Sequence, residues 1–142
     1  MVMDTRDAIS LISKIREKSN RFIVSEMLKH GVGGIVTSHG DIIYALFNNP
    51  RLTMAEIARR IGKDKSTVTA LVGKLVRLGY VAKERDTEDT RIIYVTLTHM
   101  GNGLKPMFEE ISTKLLDVFY SGISEKEKEE LIRILNKIYN NL

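Results

Sequence analysis

The chain has 142 residues, with 22 lysines and arginines against 18 aspartates and glutamates, and no cysteine. A chain of this length forms one domain and buries roughly 68 to 70% of its unfolded surface, so it needs no covalent staple. Lack of cysteine excludes structural disulfides, cysteine-ligated zinc and thiol-based sensing; no apolar run approaches the ~18 residues of a membrane span, and Asp4 and Asp7 spoil a signal-peptide start, so the expected location is cytoplasmic.

Over residues 4–29, Ala8, Ile12, Ile15, Phe22, Ile23 and Met27 keep helical spacing, and Leu11 and Leu28 widen the stripe. At ~1.5 Å per residue this is a rod of nearly 40 Å, longer than one small domain needs. Gly31, Gly33 and Gly34 close it, Thr37-Ser38 opens a second helix covering 41–47, and Asn48-Asn49-Pro50 ends that helix. Thr53 with Glu56 three residues later is a capping box for a helix ending at Gly62, with Ile57 and Ile61 as its apolar stripe and Ala58 small enough for a close crossing. Asp64 or Ser66 caps the next helix, whose Val68, Leu71, Val72, Leu75 and Leu78 face inward. Its other face carries Ser66, Thr67, Thr69, Ala70, Gly73, Lys74 and Arg77, short polar side chains with two cations that suit the wall of a DNA major groove.

Two strand-like runs, 80–85 and 92–97, then flank the polar segment 86–91 and form a β-hairpin. Helix-turn-helix plus hairpin is a winged helix. Beyond it, a helix over 104–120 is started afresh or kinked by Pro106, and Ser124 with Glu127 makes a second capping box ahead of Leu131, Ile132, Ile134, Leu135, Ile138, Tyr139 and Leu142. The expected fold class is mainly α with a small β-hairpin wing: an N-terminal dimerisation helix (1–34), a winged helix-turn-helix (35–101) and C-terminal dimerisation helices (102–142) sharing one dimer core. The terminal helices have two uses, an intramolecular cover for the winged helix or an interface between two chains. A homodimer is favoured because two reading helices related by a two-fold axis address half-sites about 10 to 10.5 bp apart, on an inverted-repeat operator.

Charge follows the same plan. Between Arg51 and Lys83 there are eight cations (Arg51, Arg59, Arg60, Lys63, Lys65, Lys74, Arg77, Lys83) and two acids (Glu56, Asp64), a net of +6, whereas the whole chain carries +4 and the remainder therefore −2. A positive field centred on the helix-turn-helix supplies the sequence-independent phosphate attraction of double-stranded DNA binding.

Lys65-Ser66-Thr67-Val68-Thr69, Leu75, Gly79-Tyr80-Val81, Arg85-Asp86, Asp89-x-Arg91 and Leu97-Thr98-x-x-Gly101 resemble the signature of the MarR family of transcription regulators. The resemblance is specific from about Thr53 to Gly101, and length and flanking helices agree over nearly the whole chain. It implies that the second helix of the motif lies in the major groove, with Lys65, Ser66, Thr67, Thr69, Ala70, Lys74 and Arg77 as its contact set. It further implies that Arg91 enters the adjacent minor groove from the wing tip, that Asp89 holds its guanidinium, and that Arg85 sits at the wing base near phosphate. Two positions depart from the pattern: Ala70 stands where many members carry a basic residue and Gly73 where they often carry a charged one, which removes mid-helix contacts; Gly73 also costs about 1 kcal/mol of helix stability relative to Ala. The resemblance implies a ligand-responsive repressor, with a small aromatic or anionic effector in a crevice between the dimer helices and the winged helix. Arg16, His39 and Tyr44 are the polar candidates there, with Ser38 and Arg21 beside them, although each also fits a cap, a core-edge hydrogen bond or a solvated charge.

No cofactor is expected. His30, His39 and His99 show no tight ligand spacing, so no metal site is assigned. Ser38-His39-x-Asp41 lacks the strained nucleophile turn of a hydrolase, and no phosphate-cradling or dinucleotide glycine motif is present, so the chain is not read as an enzyme. The rival to DNA binding is a winged helix that serves as a protein-interaction module; that version exposes apolar residues on the reading face, where this chain has Ser66, Thr67, Thr69 and Lys74.

Overall fold

Asp4 and Asp7 anchor a short 3-10 turn, Thr5–Asp7, with Asp4 Oδ1 accepting from the Arg6 amide at 2.8 Å and Asp7 Oδ2 from the Asp4 amide at 3.0 Å. The turn leads into helix α1 (Ala8–Lys29) of the computed structural model, which describes residues 4–142. The predicted stripe divides in two. Leu11, Ile12 and Ile15 on the first half of α1 are exposed, as is Leu28 near its end, whereas Met27 beside it is 1% exposed and belongs to the core.

Helix α2 spans Thr37–Phe47 and starts earlier than the sequence suggests. Neither Thr37 nor Ser38 caps it: His39 Nδ1 accepts from the Val36 amide at 3.0 Å, and the buried Thr37 hydroxyl has no hydrogen-bond partner among the described residues. One face of α2, Ile42, Ile43 and Leu46, is buried in the core, which it shares with Ile57 of α3 (Met54–Ile61) and Val68, Val72 and Leu75 of α4 (Lys65–Arg77). The expected capping box holds α3 in place, with Glu56 N donating to Thr53 Oγ1 and Thr53 N donating to Glu56 Oε1, both at 3.1 Å. Gly62 ends α3 at φ +68°, a left-handed conformation that a side chain makes costly. Of the two cap candidates for α4, Asp64 takes the role, accepting from the Thr67 amide at 2.7 Å; Ser66 instead donates its hydroxyl to the same carboxylate.

The wing has one strand more than the hairpin read from the sequence. Strands β2 (Val81–Arg85) and β3 (Ile93–Leu97) pair antiparallel with Val81 opposite Leu97, and β1 (Leu52–Thr53) pairs with the other edge of β3, Leu52 opposite Val95 and Thr53 opposite Tyr94. Leu52 and Val95, 2% and 0% exposed, fix that register by burial. Below the hairpin, Thr98 caps the short helix α5 (His99–Asn102), its Oγ1 accepting from the Gly101 amide at 3.1 Å and donating to the Gly79 carbonyl at 2.5 Å, while its own amide donates to the Tyr80 carbonyl at 3.1 Å. Gly101 is pressed against that corner: a Cβ on it would stand 2.0 Å from the Tyr80 carbonyl oxygen.

Pro106 starts helix α6 (Lys105–Phe119) rather than kinking a longer one, occupying its first turn where a missing amide costs nothing. Met107 and Ile111 of α6 pack into the core beside the end of α1. Glu26 of α1, 5% exposed, is neutralised there by Lys29 at 3.1 Å and Lys114 at 3.4 Å, which hold its carboxylate below the usual range. Helix α7 (Glu125–Asn141) has the predicted Ser124–Glu127 capping box, yet none of its residues is buried in its own chain.

Candidate nucleic-acid interface

Helix α4 turns Val68, Val72 and Leu75 inward and so fixes what it presents outward. Lys65, Ser66, Thr69, Ala70 and Arg77 are exposed, whereas Thr67 and Lys74 are half-buried at the flank of the helix. The outward face is therefore narrower than the seven-residue set read from the sequence. It is also set rigidly, since the N-terminal turn is held by the Asp64 cap, whose carboxylate the Thr67 amide keeps below its ordinary range. Thr69 is partly committed, donating its hydroxyl to the Lys65 carbonyl at 2.9 Å. Lys74 lies close enough to the buried His39 to help keep that imidazole neutral, after burial itself, the larger cause.

At the wing tip the two residues singled out together are joined. The Arg91 guanidinium donates through Nε and Nη2 to the two carboxylate oxygens of Asp89, both at 3.0 Å, and the Arg91 amide adds a third bond at 3.1 Å. The pairing lowers the Asp89 carboxyl and raises the guanidinium from their ordinary values. The side chain of Arg91 is nevertheless 88% exposed, a positioned cation facing solvent. Arg85 braces the same loop by donating to the Thr90 carbonyl, so part of its donor capacity is used inside the wing. The Asp86 amide closes the loop on the Ile92 carbonyl at 3.0 Å.

Sequence reasoning counted Arg51 only as a charge. In the fold its guanidinium lies 3.8 Å from the centre of the Tyr94 ring, a cation–π contact that holds a further cation against the middle strand of the wing. The pairing depends on the β1–β3 register, to which no local pattern points.

Comparison with known proteins agrees with this geometry. The MarR family model matches residues 30–92. The HTH-type transcriptional regulator SarZ of Staphylococcus haemolyticus is 34% identical over 100 residues, which cover 70% of this chain and 67% of that protein. The chain belongs to the MarR family. Family members are transcription regulators rather than enzymes, and the chain is accordingly a DNA-binding regulator of the winged-helix type. The MarR fold extends over the flanking helices too: the S. aureus MepR–DNA complex superposes with a TM-score of 0.87 at 22% identity, covering 99% of this chain and 100% of that one. A MarR protein from Peptoclostridium difficile gives a TM-score of 0.87 at 19% identity, over 99% and 92% of the two chains.

This MarR chain also has a cavity of about 200 Å³ on the face of α2 turned away from α3, between α1 and α6. Its wall is chiefly Ile23, Met27, Tyr44, Phe108, Ile111 and Leu115. The three effector candidates do not meet there. Tyr44 lines it and also lines a neighbouring, more polar groove, where it meets Arg16 beside Asp41, Asn48 and Arg60; His39 faces the other way, 6% exposed and occupied as the cap of α2. Ser38 and Arg21 share a third groove, along a neighbouring face of α1, which Thr37 also lines. Among the described residues no group of three histidines, aspartates or glutamates is placed to hold a metal ion. His30 stands 3.7 Å from the Glu110 carboxylate and His99 opens α5. No helix among the described residues is long and apolar enough to cross a membrane.

Proposed function

We propose that this MarR-family regulator is a cytoplasmic homodimeric repressor that binds a pseudo-palindromic operator and releases it when a small aromatic effector occupies the cavity. The observation that carries the DNA-binding part is the pairing of an exposed polar helix face, Lys65, Ser66, Thr69, Ala70 and Arg77, with a carboxylate-positioned Arg91 at the wing tip. The first element suits base edges in a major groove, and the second suits the narrow, electronegative minor groove beside it. Residues 35–101 form the reading head in this proposal, and 1–34 with 102–142 form the shared dimer core. Support for the dimer comes from apolar side chains left exposed on the outer helices, including Ile9 and Ile12 of α1, Leu116 and Phe119 of α6, and Ile132, Ile134 and Ile138 of α7. The cavity supports the effector, because it lies against the opposite side of the helix that backs the reading head.

The test is binding to a 20 to 30 bp duplex from immediately upstream of the coding region, against random duplex, at two salt concentrations. Tight, salt-dependent binding preferred over random DNA is the expected result. Binding no better than to random duplex would sink the assignment of that operator and leave two readings, an operator elsewhere or a winged helix whose partner is protein.

Two substitutions separate the roles of the head. Arg91→Ala should weaken operator binding roughly five- to 150-fold, with the loss concentrated on sequences that narrow the minor groove; unchanged affinity in a mobility-shift titration would remove Arg91 from the mechanism. Lys74→Ala should weaken binding to all duplexes alike and reduce the slope of log affinity against log salt by about one. A loss confined to one base position would mean that Lys74 reads a base instead of touching phosphate.

A further inference from the structure

We infer that the cavity between α1, α2 and α6 is built for a small arylalkyl cation, a protonated amine on one aromatic ring, with Asp41 as its counter-ion. The inference rests on the proposed effector role of the cavity and names the charge class of what fills it.

Size sets the first limit. An apolar cavity of about 150 Å³ accepts benzene, and this one, at about 200 Å³, has room for a single ring with a short substituent. The wall suits a ring: Tyr44 and Phe108 are both aromatic, and Phe108 is steadied edge-to-face by Phe47 at 5.5 Å between centroids.

The polar groups in the wall set the second limit. They are the Asp41 carboxylate, the Thr37 and Ser112 hydroxyls and the Tyr44 phenol, and no lysine, arginine or histidine is among the lining residues. An anion inside the cavity would lose its hydration and meet a carboxylate, with Arg16 and Arg60 outside the cavity wall in the adjoining groove. Asp41 is itself uncommitted: among the described residues its carboxylate makes no ion pair and accepts no side-chain or backbone hydrogen bond. It is an exposed residue that lines both this cavity and the adjoining groove of Arg16 and Arg60, and its partial desolvation raises its pKa against the smaller opposing pull of Arg16 and Lys63. The Thr37 hydroxyl, buried in the same wall with no partner, leaves another polar site unfilled. An ammonium at the mouth answers the lone carboxylate, while the ring displaces solvent from the apolar interior.

Calorimetric titration of the full chain with phenethylamine, its neutral isostere phenethyl alcohol and the anion phenylacetate tests the charge assignment. The amine should bind about fivefold more tightly than the alcohol, the scale of an ion pair that keeps one side in water. That ratio should shrink with added salt, and phenylacetate should bind weakest. Asp41→Asn should erase the difference between amine and alcohol while leaving alcohol binding in place, and a melting curve matching the unmodified chain shows that the substitution did not act through folding. Leu115→Phe, which fills the cavity, should block all three. Equal affinity for amine and alcohol, or tighter binding of phenylacetate, overturns the cation assignment and leaves a cavity of another charge preference. Failure of all three to bind the unmodified chain overturns the effector reading and the cation assignment with it.

Discussion

Gly101→Ala is expected to destabilise the protein by about 3 kcal/mol or more, with a fall in Tm of roughly 10 °C. The reason lies in what the new methyl group meets. Its Cβ would stand 2.0 Å from the Tyr80 carbonyl oxygen, 3.1 Å from the Tyr80 carbonyl carbon and 3.0 Å from Leu97 Cδ2. The closest atom is backbone, and it already accepts a hydrogen bond from the Thr98 amide, so it cannot turn aside as a flexible side chain would. Relief requires α5 to move away from the start of β2, which breaks the Thr98 bonds to Gly79 and Tyr80 and releases the base of the wing. Gly73→Ala is the control. Gly73 sits within α4, and a Cβ there meets only the end of the Arg77 side chain, at 3.5 Å, so this change should stabilise by about 0.5 to 1 kcal/mol through helix propensity. Thermal melts of both variants check the pair; a Gly101→Ala protein as stable as its parent would show that the corner yields and that the glycine has no steric purpose.

Ile134→Glu combined with Ile138→Glu should convert the proposed dimer into a folded monomer and lower operator affinity about a hundredfold or more. The magnitude comes from losing the effective concentration with which a first bound head delivers a second. Both positions lie on α7, which buries none of its residues within its own chain although Leu131, Ile132, Ile134, Leu135 and Ile138 are all large and apolar. Fully burying such side chains gains roughly 1.5 to 3 kcal/mol each, which a second copy of the chain can recover and water cannot. The reading head should be untouched, because its core of Ile42, Ile57, Val72 and Val95 lies elsewhere. Light scattering would report the mass and a mobility-shift titration the affinity. A variant that keeps the parent's mass would place the dimer contacts outside α7, and a parent that is already monomeric would end the dimer proposal.

Local chemistry explains which features could be read in the sequence. The Thr53–Glu56 and Ser124–Glu127 boxes, the turn at Gly62 and the apolar spacing of α4 from Val68 to Leu75 each depend on residues within a few positions of one another, and all appear in the structure; Leu78, the last position of that stripe, instead lies just past the helix and is exposed. What escaped depends on distant partners. Strand β1 is two residues long and exists because Leu52 meets Val95, 43 positions away. Polarity marks His39 as an effector candidate, but its ring is turned back onto the Val36 amide to start α2. The cavity joins Ile23, Tyr44 and Leu115 from three helices, and its lone carboxylate, Asp41, had drawn attention only as part of a serine–histidine–aspartate run. In the wing, the Asp89–Arg91 pair is adjacent enough to be expected, while the burden on Arg85 is set by where Thr90 turns its carbonyl.

Thr53 belongs to two elements at once. Its backbone is the last rung between β1 and β3, opposite Tyr94, and its side chain is the cap of α3. The start of α3 therefore has no freedom of its own relative to β3, and β3 carries the wing. In the proposed mode of binding this ties the wing arginine to the helix-turn-helix, so that the α4 face and Arg91 approach a duplex, or leave it, together.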